Sequence, residues 1–259
     1  MVKSLTQNEI IDFVYKTPQY SKLSKEEGLN RISIDPTKYP LDYIQDFYAN
    51  KVFSEPTATE MNNLLPALKK ADEIALKIMG KFGVSKNIDW KIGKINKGYD
   101  WDFPQTRVDV VFLPECFFEK PSVKTLVHEK LHLYQRQFPE VFNKIYNKWG
   151  FKKIQLNDSE KKQISSLGIY DRTINNPDTT DGGVWVFRKN RNMFLLPVYV
   201  INLENGMPTT LGFNMDLSDR RKPLKYIGNI SSLSNFFGAN QIDHPNEIFA
   251  CRETKNIPF

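Results

Sequence analysis

The residues best suited to chemistry lie in one short motif, which runs from His128 through Glu129 to His132. On a helix, positions i and i+4 lie on one face, so the two imidazoles can bind a single metal ion. Imidazole nitrogen is a preferred zinc ligand, and catalytic zinc sites keep one position for water beside three protein ligands. Glu129 is adjacent to the first histidine and can take a proton from that water. The motif therefore predicts one Zn²⁺ ion on His128 and His132, with Glu129 as general base.

The third metal ligand has to come from elsewhere, and residues 243–251 offer two candidates. Glu247 could bind the ion from a C-terminal helix, with the small Ala250 one turn later allowing close packing on the motif helix. Alternatively, His244, the one histidine outside the motif, could bind it from the turn before that helix. We favour Glu247 as the ligand. His244 is then a donor that stabilises the transition state, or is itself the ligand.

The elements that must position these residues follow from the hydrophobic pattern. Apolar residues at helical spacing, capping signals and period-two alternation predict a helix, two strands and a second helix, over residues 57–80, 88–95, 107–113 and 121–138. The second helix carries the motif. Further along, we expect a β-hairpin from residues 184–187 and 193–201 and a last helix that begins near His244.

This order of elements predicts an α+β fold with one main domain. Residues 1–56 should form an irregular arm, with one short helix over residues 8–15, that packs on the core. Residues 57–259 form the main domain, in which residues 151–242 are a β-rich insertion that shapes the cleft. The insertion separates the motif helix from the helix that carries Glu247.

The amino-acid composition of the chain excludes several classes of protein. The chain has 259 residues with 40% hydrophobic and 25% charged side chains, which is typical of a soluble globular protein. No window is apolar enough for a membrane span, and the N-terminus lacks a secretory signal pattern. The net charge of +6 is spread along the chain, which does not favour a nucleic-acid partner. Cys116 and Cys251, the two cysteines, are flanked by apolar residues and indicate a reducing, intracellular compartment.

Residues 125–136 (TLVHEKLHLYQR) and 244–250 (HPNEIFA) together resemble the gluzincin type of zinc metallopeptidase, in which the HExxH motif is followed by a distant glutamate. They are similar in particular to uncharacterised HExxH proteins of large DNA viruses. The resemblance implies a gluzincin-like core: a long helix, a small mixed sheet whose edge strand lines the cleft, the motif helix and a glutamate-bearing helix. It also implies His128, His132 and Glu247 as ligands and Glu129 as base.

Three expectations refine this resemblance. Gluzincins often carry an acidic residue four positions after the third ligand, which orients the first histidine. Here that position is Cys251, so Asp243 or Glu253 would have to replace it. The strand over residues 107–113 would be the edge strand and could bind an extended peptide by strand addition. The candidate donors to the developing oxyanion are, in order, His244, Tyr199 and Tyr226.

The sequence thus predicts zinc-dependent hydrolysis of peptide bonds in a polypeptide substrate, through a metal-bound water and Glu129. The alternative is a structural or particle-associated protein in which the zinc site is vestigial or purely structural. Its partners would be other proteins of a larger assembly, and it would be located in a virion. A fourth protein ligand would favour the structural protein, and an open coordination position would favour the enzyme.

Overall fold

The computed structural model of the protein describes residues 1–17, 23–169, 172–174, 176, 179, 184–230, 233 and 242–257. The chain folds as α+β, with two five-stranded sheets and helices packed against them. This confirms the expected fold class. Within the described residues, no helix combines the length and apolar character needed to cross a membrane.

The bounds of the elements are as follows. The helices are α1 (Gln7–Lys16), α2 (Lys25–Ile32), α3 (Leu41–Phe47), α4 (Ala58–Gly80), α5 (Val123–Gln137), α6 (Pro139–Lys148), α7 (Asp158–Ser166) and α8 (Pro245–Thr254). The first sheet contains β1 (Val2–Ser4), β2 (Phe53–Ser54), β3 (Trp90–Ile95), β4 (Gln105–Arg107) and β5 (Val110–Pro114). The second contains β6 (Phe151–Ile154), β7 (Val184–Arg188), β8 (Met193–Ile201), β9 (Pro208–Asp216) and β10 (Lys225–Asn229).

The first sheet is mixed and is covered on both faces. Strand β3 runs parallel to β1 and β5. Strand β2 pairs antiparallel with the C-terminal end of β3. Because side chains alternate along β5, Val111 and Leu113 pack with α4 and α5, whereas Val110 and Phe112 pack with the N-terminal segment. Burial on both faces explains why β5 is apolar at every position.

The expectation of one strand over residues 107–113 is wrong. The chain turns at Val108, which has a φ of 54°, so that β4 pairs antiparallel with β5 and Arg107 lies opposite Val110. A β-branched residue is unfavourable at positive φ, and the turn has no glycine or asparagine to indicate it. The strand at this edge of the sheet is therefore β4.

The N-terminal segment is regular rather than irregular. It supplies β1 and β2 to the first sheet and folds into α1, α2 and α3, of which α1 begins at a capping box made by Thr6 and Glu9. Helices of seven to ten residues give little periodic signal, which is why the sequence indicated only one of them. The segment forms its own apolar cluster, which includes Ile10, Val14 and Tyr48, against the outer face of the sheet.

Helices α4 and α5 form where the sequence predicted them and pack directly on each other. A capping box at Thr57 starts α4, and the hydroxyl of Ser122 caps α5. Between them, the fully buried Lys130 donates to Asp72 at 2.8 Å and to the Ile88 carbonyl. A buried ammonium is tolerated only with such partners, so these contacts fix the orientation of α5 on α4.

The insertion forms the second sheet, which is entirely antiparallel in the order β10, β9, β8, β7, β6. The predicted hairpin of β7 and β8 is confirmed. One face of the sheet, with Trp185 and Leu195, joins the main core beneath α6 and α8. The other face, with Val186 and Leu196, is covered by Ile164 of α7. The β-rich insertion thus packs on the helix that carries Glu247.

Candidate metal centre

Helices α5 and α8 bring three potential metal ligands to one point. The Nε2 atom of His128 lies 3.2 Å from Oε2 of Glu247, and Nε2 of His132 lies 3.5 Å from Oε1 of Glu247. Two ligands bound tetrahedrally at zinc distances are about 3.3 Å apart, which lies between these two separations. The ligand atoms of all three residues lie within 4.8 Å of one another. This group can hold a metal ion.

The three side chains are buried to different degrees. His132 and Glu247 are 0% and 1% exposed, whereas His128 keeps 19% of its side chain exposed. Burying three polar groups costs free energy unless they have partners, and a shared cation would satisfy all three. The burial therefore fits a metal centre that opens to solvent on the His128 side.

The His132 ring is oriented by Gln135, one turn further along α5. The Nδ1 atom of His132 lies 2.7 Å from Oε1 of Gln135, an acceptor, so Nδ1 carries the proton and Nε2 keeps its lone pair for a metal. The Gln135 amide nitrogen in turn donates to the Asn246 carbonyl at 2.9 Å. Gln135 thus links the two helices that supply the ligands. Tyr146 of α6 extends the network by donating to Oδ1 of Asn246 at 2.9 Å.

The acidic partner expected for the first histidine is replaced by a thiol. Cys251 lies one turn after Glu247 on α8, and its thiol is near enough to His128 to raise the pKa of that imidazole. Of the two acids expected to replace it, Glu253 instead pairs with Lys81 at 3.6 Å. A cysteine thus stands where an acidic partner would strengthen the basicity of His128.

Asp243 is linked to Glu247 through the side chain of Asn176. The Asn176 amide donates to Oδ2 of Asp243 at 3.1 Å and to Oε1 of Glu247 at 3.3 Å. Asn176 belongs to the insertion, so the insertion helps to orient a ligand. Asp243 therefore supports Glu247, through Asn176.

The charges of Glu247 and the two histidines affect one another. Burial alone lowers the pKa of His128, but contacts with Cys251 and Glu247 outweigh it and hold that pKa well above its usual value. Burial alone raises the pKa of Glu247, but the neighbouring His132 and His128 hold it well below its usual value. The glutamate thus stabilises positive charge at this point, which a metal ion or protons can supply.

Glu129 follows His128 directly on α5, is 3% exposed, and its negative charge helps to raise the pKa of the His128 imidazole. Its Oε2 atom accepts a hydrogen bond of 2.7 Å from the hydroxyl of Thr106 on β4. The same hydroxyl lies 3.2 Å from the backbone carbonyl oxygen of Glu129. A side chain of the edge strand therefore holds the carboxylate expected to act as base.

His244 and the two candidate tyrosines lie in different places. His244 is the N-cap of α8: its Nδ1 accepts from the Asn246 backbone N–H at 3.1 Å, and its ring meets Trp185 edge-on. Glu247, rather than His244, is thus the third member of the group that could hold a metal ion, and the role of His244 as a donor stays a prediction. Tyr226 is 46% exposed and its ring is tilted against that of Phe213, on the face of the second sheet that points away from the main core. Tyr199 projects from the opposite face of that sheet, because its position in β8 alternates in step with Leu195.

The backbone of β4, the edge strand expected to bind a peptide, already accepts a side-chain hydrogen bond at one position. The guanidinium of Arg136, near the end of α5, donates to the Thr106 carbonyl at 2.8 Å and to the His132 carbonyl at 3.4 Å. Arg136 therefore holds the edge strand against the motif helix. A peptide that paired with β4 would have to compete with this contact.

Sequence reasoning missed the neutral side chains that orient the site. Gln135 could have been found, because its spacing of three residues from His132 places it on the same helical face. Thr106 and Asn176 have no such signal, since they lie 23 residues from Glu129 and 71 from Glu247.

Comparison with protein-family models, with curated proteins and with solved structures gives no match for this chain. The function is therefore inferred from the chemistry and geometry of the site.

Proposed function

We propose that the protein is a zinc-dependent peptidase. The observation that carries this proposal is the convergence of His128, His132 and Glu247 beside a second buried carboxylate, Glu129. Two imidazoles and one carboxylate are a donor set used by catalytic zinc sites in peptidases. A carboxylate adjacent to the first histidine is the proton acceptor that such a site requires.

Each residue has a distinct task in the proposed reaction. His128, His132 and Glu247 would hold the ion, with Gln135 fixing the His132 tautomer. A bound zinc ion would supply Lewis acidity, which polarises a substrate carbonyl and lowers the pKa of a water molecule to about 7. Glu129 accepts the proton of the attacking water and returns it to the departing amine.

The order of elements supports a gluzincin-like core. A long helix, a mixed sheet with an antiparallel edge strand, the motif helix and the glutamate-bearing helix follow one another as α4, β3 to β5, α5 and α8. The edge strand β4 lies against α5 beside Glu129. This order of elements agrees with the order that the sequence resemblance implies, and we take it as support for a peptide as the substrate.

A purely structural zinc site is less well supported. Structural sites are closed by four protein ligands, whereas catalytic sites keep an open position. In the part of the chain that the structure describes, the group contains three ligands. The partial exposure of His128 also provides a side from which solvent can reach the ion.

Metal analysis and a peptidase assay with an unfolded, fluorophore-quenched polypeptide test the proposal. We expect about one zinc per chain in the wild type, with cleavage that chelators abolish. Glu129→Gln should keep the zinc and lose cleavage by a factor of about 10³ or more, because it cannot accept the proton. Glu119→Gln, at an exposed position, is the matched control. Full activity in Glu129→Gln, or a zinc-loaded wild type that cleaves nothing, would contradict the proposal.

A further inference from the structure

The edge strand β4 presents different side chains to its two sides. Thr106 lies opposite Val111 in the β4–β5 pair and therefore faces α5, where its hydroxyl reaches Glu129. Gln105 and Arg107 lie opposite Phe112 and Val110, so they face the N-terminal segment. All three side chains of this strand are buried.

A chain of buried polar contacts holds the far side of β4. The Nε atom of Arg107 donates to Oε1 of Gln105 at 2.7 Å, and Nε2 of Gln105 donates to Oδ2 of Asp100 at 2.8 Å. Asp100 also accepts from Arg31 at 3.0 Å, and Arg31 pairs with Glu27 at 2.9 Å. The strand is thus joined to helix α2 of the N-terminal segment through five side chains.

The loop that supplies Asp100 is strained, which shows that this contact is strongly determined. Asp100, Trp101 and Asp102 have φ values of 49°, 55° and 53°, a region that aspartate tolerates but that is unfavourable for a bulky residue such as Trp101. The Trp101 ring lies 4.9 Å from the Arg31 guanidinium carbon, and the Trp101 indole donates to the Gly206 carbonyl at 3.2 Å. Such strain persists only where surrounding contacts compensate for it.

We propose that Thr106 is the residue that positions Glu129 for proton transfer, and that the N-terminal segment serves catalysis by holding Thr106 in place. This inference rests on the proposed peptidase function. The 2.7 Å contact fixes one oxygen of the carboxylate and so fixes its rotation. A base held in one orientation needs no reorganisation when the water arrives.

Thr106→Val removes the hydroxyl with little change in shape and tests the proposal. We expect kcat to fall about 10- to 100-fold, the effect of losing a hydrogen bond to a charged group, with KM changed by less than about twofold. Thr106→Ser restores the hydroxyl and should recover kcat to within about threefold. Zinc content should be the same in all variants. Thr210→Val is the matched control, because Thr210 is a buried threonine in β9 of the second sheet, outside both β4 and the N-terminal segment.

A second measurement is independent of both zinc and turnover. In the metal-free protein, Thr106→Val and Glu129→Ala should each lower Tm, and the double variant should lose less than the sum of the two losses. Additive losses, or equal kcat in Thr106→Val and the wild type, would overturn the role of Thr106. An inactive wild type with non-additive Tm losses would refute the peptidase function while leaving the positioning contact established.

Discussion

Replacing Gln135 by leucine tests the metal centre at the point where α5 and α8 meet. The variant keeps nearly the same volume but loses the acceptor for His132 Nδ1, 2.7 Å away, and the donor to the Asn246 carbonyl, 2.9 Å away. Without the acceptor, the His132 proton is free to move to Nε2 and block the lone pair that would bind zinc. We therefore expect the variant to bind zinc more weakly.

The expected losses of zinc affinity and of stability follow from the two lost hydrogen bonds. Removing a partner that orients a metal-bound histidine typically weakens metal binding about 10- to 100-fold, which corresponds to about 1.4–2.7 kcal/mol. The Asn246 carbonyl also loses its donor, and this should lower the free energy of unfolding of the metal-free protein by about 1–2 kcal/mol. The first effect is measured by competition with a chromogenic chelator and the second by urea denaturation.

Two further variants separate orientation of His132 from general damage to the fold. Gln135→Glu keeps an acceptor for His132 and should bind zinc within about tenfold of the wild type. Gln45→Leu removes a buried glutamine from the N-terminal segment and should leave zinc affinity unchanged. Wild-type zinc affinity in Gln135→Leu would show that the His132 contact does not prepare the site for metal.

Two other predictions concern single contacts. Cys251→Asp places an acid against His128 and should raise zinc affinity about tenfold by isothermal titration calorimetry, whereas the exposed Cys116→Asp should not. Arg220→Gln should lower the free energy of unfolding by about 1 kcal/mol at neutral pH and should weaken its dependence on acid pH, measured as Tm from about pH 3 to about pH 7. Burial raises the pKa of Glu160, but hydrogen bonds from Arg220 and from the Asn157 backbone lower it more, so its net pKa lies below 4.5. The stability that Glu160 contributes is therefore present above about pH 4.5 and is lost as the pH falls through its folded-state pKa.

Each of these two predictions, for Cys251→Asp and for Arg220→Gln, has a result that would contradict it. Unchanged or weaker zinc binding in Cys251→Asp would mean that an acid at this position does not orient His128. Identical slopes of Tm against pH for Arg220→Gln and the wild type would mean that Arg220 is not what lowers the pKa of Glu160.

The parts of the fold that could be predicted from sequence are those with strong local signals. Helix α4 has a capping box at Thr57 and a long apolar stripe, and the chain alternates from Ile88 to Ile92, where β3 begins. The turn at Val108 was missed because a β-branched residue at positive φ depends on surrounding packing rather than on local preference. The short N-terminal helices were missed because seven to ten residues show too little periodicity.

The residues of the candidate site also fall into those with a local sequence signal and those that only packing brings together. The spacing of His128 and His132 defines a helical face, and Glu247 stands out as an acid at the start of a late helix. The orienting residues that the sequence did not indicate, such as Gln135, are neutral, and the contact between Gln135 and Asn246 joins positions 111 residues apart. Such pairs arise from the packing of α5 on α8, which no local pattern encodes.

The uneven burial of the three ligands has a kinetic consequence. His132 and Glu247 are almost completely enclosed, whereas the ring of His128 reaches solvent. An incoming cation would meet His128 first and pass to the other two donors only after shedding most of its hydration. Loading and release would then be governed by rotation of one imidazole, so the rate at which a chelator strips the ion should level off as the chelator concentration rises.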